Sequence, residues 1–283
     1  MSRLFTLLPI GILAISTASI FIKLCEAPAL IIAAYRVGLA SLILIPFAVR
    51  RKIWKGWDRN QLRWCVFSGI LLSLHFAFWI ASLKYTSVAS SVVLVTTHPI
   101  LVGIGARLFL NEEISFNLIT GIALSVLGCG LIGYGDRVLS NEAFFGDGLA
   151  LLGAIAASGY LLVGRRMRRN QDLFSYILPV YSTAGIILVG LCLIFRKPFL
   201  GYSSTTYLFL FLLAFIPQLI GHTTFNWALK YLPASMVAIA VLGEPVGSTA
   251  LAYLLLNEEL TPWKVLGGFS IFMGIVIALA RRH

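Results

Sequence analysis

Apolar runs long enough to cross a bilayer, ten of them in succession, constrain this chain more than any other feature. They lie at about 4–22, 29–49, 64–83, 87–108, 116–135, 148–164, 173–195, 205–229, 234–256 and 263–280. A spanning helix needs about 20 such residues. No alternating pattern of about 10 residues, the mark of a membrane-barrel strand, competes with that reading. Composition agrees: 59% of the residues are hydrophobic and 12% charged, which is too little charge to cover a water-facing surface. An ordinary cytosolic enzyme and a disordered regulator are excluded. The first run lacks a small-x-small exit and is followed at once by further runs, so it is expected to stay as a span rather than be cleaved as a signal peptide.

The net charge of +11 looks like a nucleic-acid footprint until it is located. With ten spans and a cytoplasmic N-terminus, fifteen Lys and Arg residues fall on the inner side, many of them in the clusters Arg50 to Arg63 and Arg165 to Arg169, against six on the outer side. This is the positive-inside distribution, with both termini cytoplasmic. The expected location is therefore the cytoplasmic membrane, with lipid rather than nucleic acid as the surrounding partner. Cys25, Cys65, Cys129 and Cys192 are far apart and form no C-x-x-C or Cys/His cluster. Neither a metal site, a disulfide framework nor a cofactor is expected, and each cysteine reads as a small buried hydrophobe.

The chain also repeats itself. A shift of 146 residues lays Lys84-Tyr85 on Lys230-Tyr231, Pro99 on Pro245, Asn111-Glu112-Glu113 on Asn257-Glu258-Glu259, and Gly121 and Gly128 on Gly267 and Gly274. Shared apolar composition does not put N-E-E and a mid-span proline in register. Each half, 1–137 and 138–283, holds five spans. Five is odd, so the second half enters the membrane from the opposite side. The fold expected is all-α: an integral membrane protein of ten transmembrane helices, arranged as two inverted five-helix repeats around a central cavity. Inverted repeats of this kind place a transporter's site near the midplane where the halves meet.

These repeats, with their K-Y, proline, N-E-E-[IL]-[ST] and glycine-spaced helix, resemble the EamA-type branch of the drug/metabolite transporter superfamily over nearly the whole chain. The resemblance implies a carrier of small metabolites such as amino acids, and export as the direction.

Ionisable groups inside a bilayer are costly and face a cavity or a partner. Of the eleven acidic residues, Glu244 alone is expected deep in a span. Its repeat equivalent is His98, and each stands just before the matched proline near mid-depth, so the two are expected to face one cavity. Pro99 and Pro245 cannot donate and crowd the carbonyls of Val95 and Val241. A kink that only shapes packing and one that turns carbonyls toward a ligand are both open. Helical spacing adds Ser87, Ser90, Ser91 and Thr97 to His98 on the fourth span, His75 and Trp79 on the third, and Gln218, His222 and Asn226 on the eighth. Tyr160, Phe78, Phe225 and Trp227 are candidates for an aromatic wall. Arg36, in the second span, either snorkels outward or binds an anion in the cavity. Glu112, Glu113, Glu258 and Glu259 read as fixing tight helix hairpins, with Ser115 and Thr261 as caps of the next helix. Small residues at Gly121, Ser125 and Gly128 and at Ser270, Gly274 and Ala278 make close-packing faces, used within the chain or in a homodimer.

A buried carboxylate among imidazoles, aromatics and Arg36 suits a small zwitterionic or amphipathic solute carried by alternating access. Glu244 takes an ammonium group or a proton. The alternative is a multidrug or cation exporter coupled to protons through Glu244. A channel would need a continuous polar pore. A membrane-embedded enzyme would need a nucleophile–base pair or metal ligands, and no such motif occurs.

Overall fold

Each apolar run becomes a helix because a backbone in lipid must satisfy its own hydrogen bonds. The structure, a computed structural model, describes residues 2–53, 57–86, 88–134, 141–257 and 260–279. Among these, no strand occurs. The first half contains α1 (Ser2–Leu24), α2 (Ala29–Arg51), α3 (Arg59–Ser82), α4 (Val88–Val95), α5 (His98–Leu110) and α6 (Phe116–Tyr134). The second contains α7 (Asn141–Arg168), α8 (Leu173–Ile194), α9 (Ser204–Leu213), a π-helical stretch Ala214–His222, α10 (Thr223–Ala228), α11 (Ala234–Val241), α12 (Gly243–Leu256) and α13 (Pro262–Leu279). Among the described residues eight spans are long and apolar enough to cross a membrane, and two shorter apolar helices stand at the fifth and tenth places. Large apolar side chains such as Phe109, Phe144, Ile194 and Leu254 lie exposed on the outside, as a lipid-facing surface requires.

The helices start and stop where the sequence supplies the chemistry. Asp172 accepts from the amides of Phe174 and Ser175, Ser203 from Thr206, and Ser115 from Leu118, so these side chains satisfy otherwise orphaned first-turn donors. Asn111 and Asn257 close the fourth and ninth spans in the left-handed region, at φ 51° and 54°. Asparagine tolerates that conformation better than other side chains, which explains the Asn of each N-E-E motif.

Packing obeys the exchange of halves. Helix α2 packs on its equivalent α8 and α6 on its equivalent α13, while α3 against α7 is matched by α1 against the eighth span. A methyl added at Gly121 would lie 2.6 Å from the carbonyl oxygen of Gly274, and one at Gly128 would lie 2.6 Å from that of Gly267. Residue numbers rise along α6 as they fall along α13, so the two helices are antiparallel. Because they are repeat equivalents, the halves themselves are inverted. The small-residue faces are thus used within the chain. Ser41 and Ser182 hydrogen-bond across α2 and α8 at 2.7 Å.

Both prolines do more than kink. The fourth span breaks between α4 and α5, and the ninth between α11 and α12, each immediately before the matched proline. Short-range bonds tighten the breaks: Thr97 N to Leu94 O at 3.2 Å and Leu242 N to Ile239 O at 2.9 Å. The eighth span differs from the third. Pro217 lies inside its π-helical stretch, whereas α3 is regular throughout. The boundary expected at 137/138 and the residues Glu258, Glu259 and Ser87 lie outside the described residues.

Candidate functional site

A cavity of about 50 Å³ sits between the halves. That is room for a few waters at roughly 10–15 Å³ each on this measure, less than a metabolite needs. Its lining is Ile15, Arg36, His75, Trp79, Val95, Thr96, His98, Ala157, Tyr160, Leu161, His222, Phe225, Asn226, Val241 and Glu244.

Helix α2 turns Arg36 inward, only 1% exposed. Its Nε donates to Gln218 Oε1 at 3.0 Å, and its guanidinium carbon stands 4.1 Å over the Phe76 ring and 5.7 Å from that of Trp79. The snorkelling reading of Arg36 is therefore overturned, since guanidinium stacking and the Gln218 amide hold it inside. On α3, His75 stacks on Trp79 at 5.9 Å with planes 5° apart, and its Nδ1 lies 3.0 Å from the Gly153 carbonyl. At the first break, His98 Nδ1 lies 3.1 Å from the Val95 carbonyl. A carbonyl only accepts, so Nδ1 carries the hydrogen and Nε2 of the neutral ring is an acceptor. The carbonyl exposed by Pro99 is thus taken up by the adjacent histidine. At the second break stands Glu244, 8% exposed, with no ion pair within 4 Å among the described residues. On the far wall, Asn226 donates to Tyr160 Oη and to the His222 carbonyl.

His98, Glu244, His75, Trp79, Arg36, Tyr160, His222 and Asn226 therefore converge on one cavity. His98 and Glu244 share it without hydrogen-bonding each other; His98 Nδ1 faces the Val95 carbonyl instead. Two residues expected there are elsewhere. Thr97 does not line the cavity: the break resets the helical phase, its hydroxyl bonds the Leu94 carbonyl at 2.7 Å, and Thr96 lines the wall in its place. Gln218 stands behind Arg36 rather than in the wall. Ser91, which lies before the break, does not line the cavity either and is bonded to Ser82. Of the aromatics, Phe225 lines the cavity, and Phe78 and Trp227 do not. Sequence reasoning missed Thr96 and Ile15. The doublet Thr96-Thr97 next to Pro99 was the signal for a break that changes which threonine faces inward.

Glu112 is the second buried acid, 8% exposed. It accepts from Arg165 Nε at 2.7 Å, Arg169 Nη2 at 3.1 Å and the Ala234 amide at 3.0 Å. Arg165 also donates to the Leu229 carbonyl at 2.7 Å. Glu112 thus ties the end of the fourth span to α7 and to the turn before α11, which corrects the expectation that it only fixes its own hairpin. The basic cluster lies within its reach and supplies the partners. Glu113 is exposed.

A small cavity lined by buried Arg36, His98 and Glu244 between two inverted five-helix repeats fits a multispan membrane transport protein. The chain belongs to the EamA-like transporter family, which it matches over residues 4–134 and again over 144–280. It is similar to an uncharacterized transporter of Archaeoglobus fulgidus, 25% identical over all of this chain and 99% of that one. It is also similar to the uncharacterized transporter YoaV of Bacillus subtilis, 26% identical over 84% of this chain and 82% of the relative. A solved crystal structure shares the fold at a TM-score of 0.79, with 19% identity over 99% of this chain and 97% of the other.

Proposed function

We propose that this transporter is a secondary carrier that moves a small amphipathic or zwitterionic organic metabolite, such as an amino acid, across the cytoplasmic membrane by alternating access, in the direction of export. The observation that carries the reading is the small cavity between the halves, which holds an arginine and a glutamate without an ion pair between them. The units that rock are 1–137 and 138–283, with both termini cytoplasmic as the charge bias implies. In that orientation Glu112, Arg165 and Arg169 latch the cytoplasmic end, and loading from inside requires the latch to open. The test is flux in proteoliposomes against a metabolite panel. Saturable uptake stimulated by solute on the far side supports the carrier. Flux that rises linearly with concentration and ignores trans solute counts against it.

A second reading concerns coupling. Glu244 is a carboxylate without an ion-pair partner in the cavity, which favours proton antiport through its titration. Glu244→Gln is expected to reach the membrane yet lose the pH response of flux. A variant with the wild-type pH profile would reject proton coupling and leave simple exchange.

A further inference from the structure

We infer that Arg36 and Trp79, with Gln218 holding the arginine from behind, form the seat for a carboxylate, so that the solute carried is an acid or amino acid with a free carboxylate rather than a carboxylate-free cation. The inference rests on the carrier reading above and names the chemistry of its site.

Buried polar groups are normally paired, and one left without a partner calls for a reason. Among the described residues, eight buried side-chain nitrogen or oxygen atoms have no hydrogen-bond partner. Five of them belong to Arg36, Trp79, His98, Gln218 and Asn226, four of which line the cavity while the fifth holds Arg36. Three of the five atoms can only donate: Arg36 Nη1, Trp79 Nε1 and Gln218 Nε2. Two of them, Arg36 Nη1 and Trp79 Nε1, belong to residues that line the cavity, from two different spans.

The guanidinium is held in place before any ligand arrives. Gln218 Oε1 takes Arg36 Nε at 3.0 Å, and the Phe76 ring supports the guanidinium at 4.1 Å. Gln218 itself is fully buried behind the arginine. Its position follows Pro217, in the π-helical stretch that the third span lacks. A planar cation flanked by N–H donors, with no acid in ion-pair range, matches the two oxygens of a carboxylate.

The remaining groups are of the opposite kind. Asn226 Oδ1 accepts, and so does Nε2 of neutral His98, because its Nδ1 faces the Val95 carbonyl. With Glu244 they make an acceptor set suited to an ammonium group. Donors and acceptors are thus sorted onto different residues around one cavity, as a zwitterion demands.

The experiment measures binding to the purified full-length protein. Its probes are the twenty protein amino acids, their amides, their decarboxylated amines and the C2–C6 monocarboxylates. For at least one scaffold the free acid is expected to outbind its amide by about tenfold or more, the worth of a hydrogen bond to a charged group. Trp79→Phe keeps the ring and removes the N–H, and should weaken the acid about tenfold. Arg36→Gln should abolish the preference for acid over amide. A double variant, Arg36→Gln with Glu244→Gln, separates a seat from a counter-charge: it should remain weak for the acid. Wild-type acid binding by the double variant, no acid better than its amide, or no effect of Trp79→Phe on the acid would each overturn the seat. Saturable, trans-stimulated flux of carboxylate-free amines would overturn the seat while the carrier stands. Absence of saturable flux for every probe would remove the carrier reading, with the binding data still deciding the seat.

Discussion

The fourth and ninth spans are one backbone device carrying two chemistries. Each starts as a short helix, breaks before a matched proline, continues, and ends on an asparagine in the left-handed region. At the break the fourth span offers the imidazole of His98 and the ninth the carboxyl of Glu244. The same split holds elsewhere. Arg36 corresponds to Ser182, which is spent on packing against Ser41. Phe76 corresponds to His222, and the first supports a guanidinium while the second lines the cavity. On the alternating-access reading proposed above, a repeated backbone lets two inverted halves exchange roles as the site opens first to one side and then to the other. On the proposed function, the side chains diverge because a small zwitterionic solute has two chemically different ends.

The comparison breaks first at its chemical extreme. Glu244→Gln is expected to lower flux about tenfold or more, since a charged partner is lost from a buried site, whereas His98→Gln should cost less because the amide still accepts. Equal losses, read as initial rates at matched protein density in proteoliposomes, would mean that the two positions are chemically as well as structurally equivalent. The scaffold is sharpened by Gly121→Leu. Its first carbon already meets the Gly274 carbonyl at 2.6 Å, so a loss of roughly 3 kcal/mol is expected in detergent unfolding. Gly130→Ala, with nothing within 4 Å of the added carbon, should be neutral or stabilise by about 0.5–1 kcal/mol.

A smaller effect separates the paired acids of the first N-E-E motif. Glu112→Gln removes the charge that faces Arg165 and Arg169, and should raise thiol labelling of a cysteine placed at Thr96 several-fold by loosening the latch. Glu113→Gln should leave labelling unchanged. The native background is low, because all four cysteines are buried and burial pushes the Cys25 thiol, in the turn after α1, up to about 12. That thiol therefore stays protonated and slow to react at neutral pH. Asn111→Gly should be near neutral and Asn111→Val should destabilise by about 1–2 kcal/mol, since φ is 51° there and a β-branched residue is strained in that region.

Much of the fold was readable from period and register. Run length announced the spans, the 146-residue shift paired Pro99 with Pro245 and Gly121 with Gly267, and the odd span count implied the inversion that the antiparallel glycine contacts display. Eight of the ten residues expected in the cavity gather there. The failures share a cause. Thr97 was placed by extending an ideal helix through a point where the helix stops, and Gln218 by a spacing of four in a stretch that winds as a π-helix. Glu112 was read as a surface hairpin residue because a helix end is usually wet. Nothing local says that two arginines and the Ala234 amide, more than 50 residues away, will fold over it.

By itself the sequence determined the membrane as solvent, the number of spans and the inverted halves, because hydrophobic length and repeat register act through local backbone physics and are indifferent to contacts. Only the tertiary structure decided that Arg36 points inward, that Thr96 rather than Thr97 faces the cavity, and that Glu112 bridges distant elements. Each of these depends on where a broken or widened helix turns its side chains and on which partner, remote along the chain, arrives to meet them.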